Sequence, residues 1–405
     1  MTALVLPPTP LEVAVGSVIG REESVPPLPP AVAGLSPRAA LEHTLVAALE
    51  RPPCAVTFSG GRDSSLLLAV AVAVARREGL DLPVPVSARF VNAPGTGEAE
   101  WQDLVVAHLG LRDWVRVELE DELDLIGPRA AATLRRHGVL HPPHAGLFAL
   151  LAECVHCRSL VTGFGGDQLL GGWIGARQSP RLSRSRGLQA AGVVAYATAT
   201  RRLRRLVLRG DVPDRPWLTE PARGAFARCW LEAASSEPAR WDGYVRWLAR
   251  RRTMASVQCS LELVLGESGV LAFHPLLDRS LLATLASAGG RAGLGNREAL
   301  LRLLAGDDLP EPLLVRQSKA HFHHAYFRGP SRAFAKRWDG SGLDPAIVDA
   351  EELRRAWLGR MPRGSSALAL QAAWLSAESR DPSGGRELEQ PAGRLGEKLQ
   401  AARTS

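Results

Sequence analysis

The stretch Cys54-Ala55-Val56-Thr57-Phe58-Ser59-Gly60-Gly61-Arg62-Asp63-Ser64-Ser65 decides the fold. Its first five residues are a short apolar strand, its middle is a loop of small residues, and an apolar helix follows at once. Adjacent glycines let phosphate oxygens approach the backbone with no Cβ in the way. The helix start offers unpaired N–H groups and a partial positive charge, and Ser59, Ser64 and Ser65 add hydroxyl donors. A carboxylate here repels phosphate unless a cation intervenes, so Asp63 implies magnesium held between itself and the phosphates. The loop lacks the Gly-Lys-Ser/Thr ending of kinase and GTPase P-loops, which argues against γ-phosphoryl transfer. The alternative is a tight strand-to-helix turn rich in small residues, and Ser-Gly-Gly-x-Asp-Ser-Ser after a strand favours phosphate binding.

Outward from this loop, strands alternate with helices. Strands are expected at 54–58, 84–90, 114–118 and 159–162, with helices over 64–77, 98–109, 124–137 and 144–157. Ser36 as N-cap and Pro37 at the first helical position open another helix over 38–50. This alternation predicts an α/β fold whose parallel sheet is sandwiched by helices. The strand signal disappears after Trp173, and 177–374 reads as mostly helical, broken by Pro213, Pro216, Pro238, Pro275, Pro310 and Pro330. The predicted organisation is a proline-rich segment over 1–37, an α/β core over 38–175, a helical part over 176–378 and a disordered tail over 379–405. Within the first segment, 11–19 could form one short strand.

A second glycine-rich loop follows the fourth predicted strand: Gly163-Phe164-Gly165-Gly166-Asp167-Gln168-Leu169-Leu170-Gly171-Gly172. Ligands of parallel sheets bind at the carboxyl ends of the strands, so Asp167 is expected to share the metal with Asp63.

Together the two loops resemble the synthetase domain of the asparagine synthetase family, which includes β-lactam synthetases and lasso-peptide cyclases. Its pyrophosphatase loop is similar to 59–65, and its Gly-x-Gly-x-Asp-Glu followed by Leu-Phe-Gly-Gly is similar to 163–172. Weaker matches follow in the family's order: Arg252-Thr253-Met254-Ala255, His274-Pro275-Leu276-Leu277-Asp278, 296–302, Leu309-Pro310, and Arg316-Gln317-Ser318-Lys319. The resemblance covers about 54–327. It implies an adenine nucleotide α-hydrolase-like (PP-loop) fold, with ATP and Mg2+ as cofactors. A substrate carboxylate attacks the α-phosphorus of ATP, pyrophosphate leaves, and an amine displaces AMP from the acyl-adenylate to give an amide. Residues 60–65 with Ser59 and Ser64 would hold the pyrophosphate, and Asp63 and Asp167 the metal. Lys319 matches the family lysine beside the α-phosphate. Gly165, Arg297 and Arg316 are further candidates for nucleotide contact.

Departures from the family pattern bear on the substrate. Gln168 replaces a Glu, Phe164 replaces the Glu of Gly-Glu-Gly, and Arg297 stands where Lys is frequent. The segment 256–273 is longer than in asparagine synthetase, leaving Glu262 and Glu267 as candidates for the substrate-side Glu. Asparagine is therefore a poor candidate product. Residue 2 is Thr2, and fewer than 60 residues precede the loop, too few for a glutaminase domain. The amine is expected to be free ammonia, ammonia from a partner protein, or an amine on a small-molecule or peptide substrate. The last is favoured and suggests specialised-metabolite or peptide biosynthesis.

The totals are compatible with this. Hydrophobic residues make up 46% and charged residues 22%, the balance of an ordinary globular chain. A formal charge of +7 could signal a polyanionic partner, but a cleft holding ATP also wants positive potential, and no nucleic-acid partner is expected. Five cysteines without disulfide-like spacing, and no signal-like segment, point to a reducing cytoplasm. The longest apolar run is about half the roughly 20 residues needed to span a bilayer. Cys154-Val155-His156-Cys157 reads as packing rather than zinc or redox chemistry. His321-Phe322-His323-His324 could touch substrate or metal but reads first as surface or packing. The arginines over 177–209 read as a solvated basic face. Trp241, Tyr244 and Trp247 read as core, with Tyr244 as a possible base. Two other uses of the loop stay open: adenylation of a tRNA base, which for thiolation requires a cysteine near the site, and non-catalytic nucleotide binding.

Overall fold

The computed structural model describes residues 6–91, 98–173, 198–316 and 326–380. Among the described residues five strands form one sheet: β1 (Cys54–Thr57), β2 (Val84–Phe90), β3 (Val115–Leu119), β4 (Ser159–Val161) and β5 (Leu271–Phe273). Their order is β3-β2-β1-β4-β5, and every pair is parallel. The chain winds outward from β1 on one side, then returns to continue from β4 on the other. The order therefore reverses between β1 and β4, which leaves a crevice at their carboxyl ends. Both glycine-rich loops leave from those two ends.

Sequence periodicity located four of the strands but not β5. Three residues are too few to show an alternation, and Leu271 is half exposed at the sheet edge. Its pairing with β4 is what makes it a strand, with Ala272 opposite Leu160. The helical part thus contributes an edge strand to the sheet of the preceding core.

The helix Arg62–Glu78 is apolar all round in its middle, from Leu66 to Ala75, because that part is covered on nearly every side. It lies between the sheet and the helices Pro37–Leu49 and Arg297–Ala305, and Leu66 to Val72 are essentially inaccessible. On the opposite face, the helices Gly146–Val155 and Arg252–Gly266 cover Ala55, Val86, Val117 and Leu160. A third core joins the N-terminal helix to Gly329–Arg337, Ala350–Leu358 and Ala367–Arg380.

The N-terminal segment corrects one expectation. Where a strand over 11–19 was considered, the chain forms the helix Pro10–Val15. Thr9 accepts from the Glu12 N–H while the Glu12 carboxylate accepts from the Thr9 N–H, a reciprocal cap, and Pro10 sits at the first helical position. Those local bonds outweigh the β-branched content of the segment. Glu12 also accepts from Arg252, which reaches Glu22 and the Pro7 carbonyl as well. The Arg-Thr-Met-Ala match therefore straps the N-terminus down. The helix expected over 124–137 begins only at Pro128, because the buried Asp124 carboxylate accepts instead from Ile126, Arg328 and Ser331. Of the tail expected over 379–405, residues 379 and 380 end the helix Ala367–Arg380 and 381–405 lie outside the described residues, among which no helix is long and apolar enough to cross a membrane.

Candidate active site

The loop after β1 turns through Gly60 at φ +80, a conformation that suits glycine. A Cβ there would stand 2.8 Å from Gln102 Cγ. Gly61 is the N-cap of the following helix and brings no side-chain cap, so the helix end is left to a ligand. Ser64 Oγ donates to the Gly61 carbonyl at 3.0 Å and lies 3.1 Å from Ser59 Oγ, and the Ser59 N–H donates to Ser64. These bonds hold the turn as a shallow cup. Ser65 is placed differently: it is fully buried beneath the loop, and its N–H is used by the Gly61 carbonyl.

The loop after β4 lies directly across this helix start. A Cβ on Gly163 would sit 3.6 Å from the Ser64 nitrogen, and one on Gly166 would come within 2.4 Å of an Asp63 carboxylate oxygen. Gly165, at φ +90, turns against Leu277 with the same lack of room. The glycines are thus needed for the approach of Asp63 to the helix that carries Asp167, Gly166–Gly171. Both carboxylates converge on one guanidinium: Arg297 Nη2 is 2.5 Å from Asp63 Oδ1, and Nη1 is 3.1 Å from Asp167 Oδ1. Asn296 caps the helix Arg297–Ala305 through the Ala299 N–H, which sets Arg297 at its first turn. Burial opposes the Arg297 charge, but the two carboxylates outweigh it and raise its pKa.

Arg316 plays a different part from a simple phosphate contact. Its guanidinium donates to the Gly60 carbonyl at 3.0 Å, pairs with Glu98 and lies 4.6 Å over the Trp101 ring. Arg316 is 6% and Glu98 7% exposed, so the pair is a buried strut under the loop. Arg62 was not singled out by its motif, yet it lines the cleft. Burial, with repulsion from Arg297 and Arg316, lowers its pKa. Clustered cations of this kind favour an anionic guest.

These groups line one side of a cleft of about 1220 Å³ at the carboxyl ends of β1, β2 and β4. Lys319 and His321 to His324 lie outside the described residues. Tyr244 is buried among Trp173, Trp241 and Trp247, with its hydroxyl donating to the Gln168 carbonyl at 2.6 Å. It braces the second loop from the core. Cys154 and Cys157 are buried free thiols, raised by burial to about 11 and about 12, which suits packing. Neither Glu262 nor Glu267 is among the residues lining the cleft, and Glu267 pairs with Arg136 and His137. Of the arginines read as a solvated basic face over 177–209, those over 177–197 lie outside the described residues; the helix Arg201–Leu208 buries no residue, while Arg204 donates to the Glu237 carbonyl and Arg205 pairs with Glu232.

With two loops and two carboxylates gathered at the switch between β1 and β4, the comparison with known proteins is direct. The sequence profile described as asparagine synthase matches residues 38–376. The chain belongs to the asparagine synthase family. A search of curated proteins finds no match. The asparagine synthase family comprises ATP-dependent ligases that form amide bonds, and its members typically use Mg2+ with ATP.

The family's metal fits the residues present, within limits. Asp63 and Asp167 are close enough to share one guanidinium, so they could share one cation in that place. Among the described residues no cluster of three or more His, Cys, Asp or Glu side chains could hold a metal alone. A hard cation taking six oxygens would then need phosphate oxygens and water to complete its shell. Asp63 and Asp167 would therefore hold the metal together with the nucleotide.

Proposed function

We propose that this member of the asparagine synthase family adenylates a substrate carboxylate and passes the acyl group to an amine, in the biosynthesis of a specialised metabolite or peptide. The observation that carries this reading is the convergence of Asp63 and Asp167 beside the uncapped helix start after Gly61.

The residue roles follow from position. The N–H groups at the start of the helix, with Ser59 and Ser64, cradle the β- and γ-phosphates and so bind the departing pyrophosphate. Ser65 supports the turn from below. Magnesium bound with ATP would supply charge neutralisation at the departing pyrophosphate. Asp63 and Asp167 would hold that cation, and Arg297, which pairs with both of them, would turn to the phosphates once the carboxylates are engaged. Arg316 acts through the Gly60 carbonyl. Lys319 is assigned to the α-phosphate by its place in the motif. The carboxylate of the substrate attacks the α-phosphorus, pyrophosphate leaves, and the amine then displaces AMP. A cytoplasmic enzyme acting on a soluble acid, with a partner protein delivering substrate, is compatible with this scheme.

ATP–pyrophosphate exchange with magnesium, over a panel of carboxylates and short peptides, tests the reading. Exchange that disappears in Asp63→Ala supports it. ATP binding with no exchange for any acid would instead favour a non-catalytic nucleotide-binding relative, to which Gln168 and Phe164 lend some weight. A thiolating enzyme acting on tRNA is less well supported, since Cys154 and Cys157 are packed in the core.

A further inference from the structure

The second side of the cleft is built from rings rather than charges. Phe148 and Phe164 lie 5.2 Å apart, and His144 stacks on Tyr326 at 4.9 Å with their planes 20° from parallel. Phe90 meets Tyr326 edge-on at 6.3 Å, and His144 also approaches Phe148 at 6.3 Å. With Leu147 these residues line the cleft continuously with the phosphate loop. Burial drops the His144 pKa to about 4, with His141 adding a smaller repulsion, so His144 is neutral near pH 7. Burial also raises the Tyr326 pKa, and its hydroxyl stays protonated. The rings themselves therefore carry no formal charge; Arg62, Arg297, Asp63 and Asp167 gather at the phosphate loops, and Arg89 and Arg116 line the cleft along β2 and β3.

Phe164 connects the two sides. It belongs to the same loop as Asp167 and lines the same cleft as Asp63, so an acid held beside the two carboxylates would meet this ring. A second carboxylate or an ammonium packed among Phe148, Phe164 and Tyr326 would lose its water to side chains that carry no charge. An aromatic group gains offset-stacked or edge contacts with Phe148, Phe164 and Tyr326. We infer that the cleft selects an acid bearing an aromatic group beside its reacting carboxylate, and rejects acids with a second charge there. This inference rests on the adenylating-ligase reading and names the substrate class for it.

The test is binding of phenylacetate and of aspartate to the full chain, by saturation-transfer NMR and calorimetry, with magnesium and saturating α,β-methylene ATP. The analogue fills the nucleotide site and cannot donate AMP. Phenylacetate is expected to bind at least about tenfold more tightly than aspartate, the scale of discrimination that apolar pockets reach. Phe164→Glu should weaken phenylacetate roughly tenfold or more, while Phe164→Leu, which keeps the position apolar and uncharged, should weaken it clearly less. Analogue binding in each variant reports that the fold and nucleotide site persist. Aspartate binding as well as phenylacetate, no phenylacetate binding, or displacement of phenylacetate by the analogue would overturn the inference. The last result would assign the rings to the adenine base. Failure of the analogue itself to bind the unmodified chain would instead sink the ligase reading.

Discussion

The two sides of the cleft hold their guests by opposite means. The phosphate side relies on backbone and charge: a helix start without a side-chain cap, glycines that admit no Cβ, and ion pairs that link residues far apart in sequence. The aromatic side relies on shape, with rings stacked on the ends of β2 and β4 and titratable groups held neutral by burial. Charge acts over distance and tolerates small misplacement of a counter-ion, but not the loss of a carboxylate. Ring packing tolerates a lost hydroxyl but not an added charge.

The largest expected effect that could break this comparison is at Asp63. Asp63→Asn keeps the shape and removes the charge, and should reduce pyrophosphate exchange by about 10²–10³-fold, the scale of a lost transition-state charge partner. A loss of less than roughly threefold would mean that Arg297 alone orders the phosphates. The next largest effect concerns stability. Glu98→Gln leaves the Arg316 guanidinium buried without its carboxylate and should cost about 3 kcal/mol in chemical denaturation. Adding Arg316→Met removes the second charge and should recover most of that loss. Exchange that stays low in the double variant would show that Arg316 acts by holding the Gly60 carbonyl.

A smaller effect is expected from Gly60→Ala. Its φ of +80 disfavours any side chain, and the new Cβ must displace Gln102. A strain of about 1–2 kcal/mol should appear as roughly tenfold weaker ATP binding with little loss of helix content by circular dichroism. Unchanged affinity would mean that the cup is not the phosphate site.

The effect that is nearly absent at pH 7 itself and grows only on acidification belongs to the buried histidines. Burial lowers the pKa of His141, His144 and His274 from 6.5 to about 4. As pH falls below about 6.5 the unfolded chain takes up these protons first, so stability that is complete above that value is lost progressively towards pH 4. Urea midpoints should therefore drop between pH 7 and pH 5, and His274→Gln should flatten the slope. A midpoint that does not change over this range would show that these imidazoles are hydrated.

Legibility in the sequence followed locality. Strands β1 to β4, the two loops and the capped helix after Ser36 all have signals within a dozen residues: an apolar run, adjacent glycines, a Ser-Pro start. The helix at Pro10 carried such a signal too, the Thr9 and Glu12 pair, but it was masked by surrounding prolines and β-branched residues. Strand β5 has no local signal, because its only distinction is a partner more than a hundred residues earlier. Arg62 was hidden inside a motif whose neighbours explained themselves.

By itself the sequence determined that a phosphate-binding loop follows a buried strand, that a second acidic loop follows another, and that the intervening pattern builds a parallel sheet. These are short-range properties, set by backbone freedom and by which residues must be buried. Only the tertiary structure decided that Asp63 and Asp167 meet on Arg297, that Arg316 serves the loop through Gly60 and Glu98, and that Phe164 joins a ring-lined chamber. Each of these depends on segments brought together by the order β3-β2-β1-β4-β5, a contact that leaves no trace in the spacing of neighbouring residues.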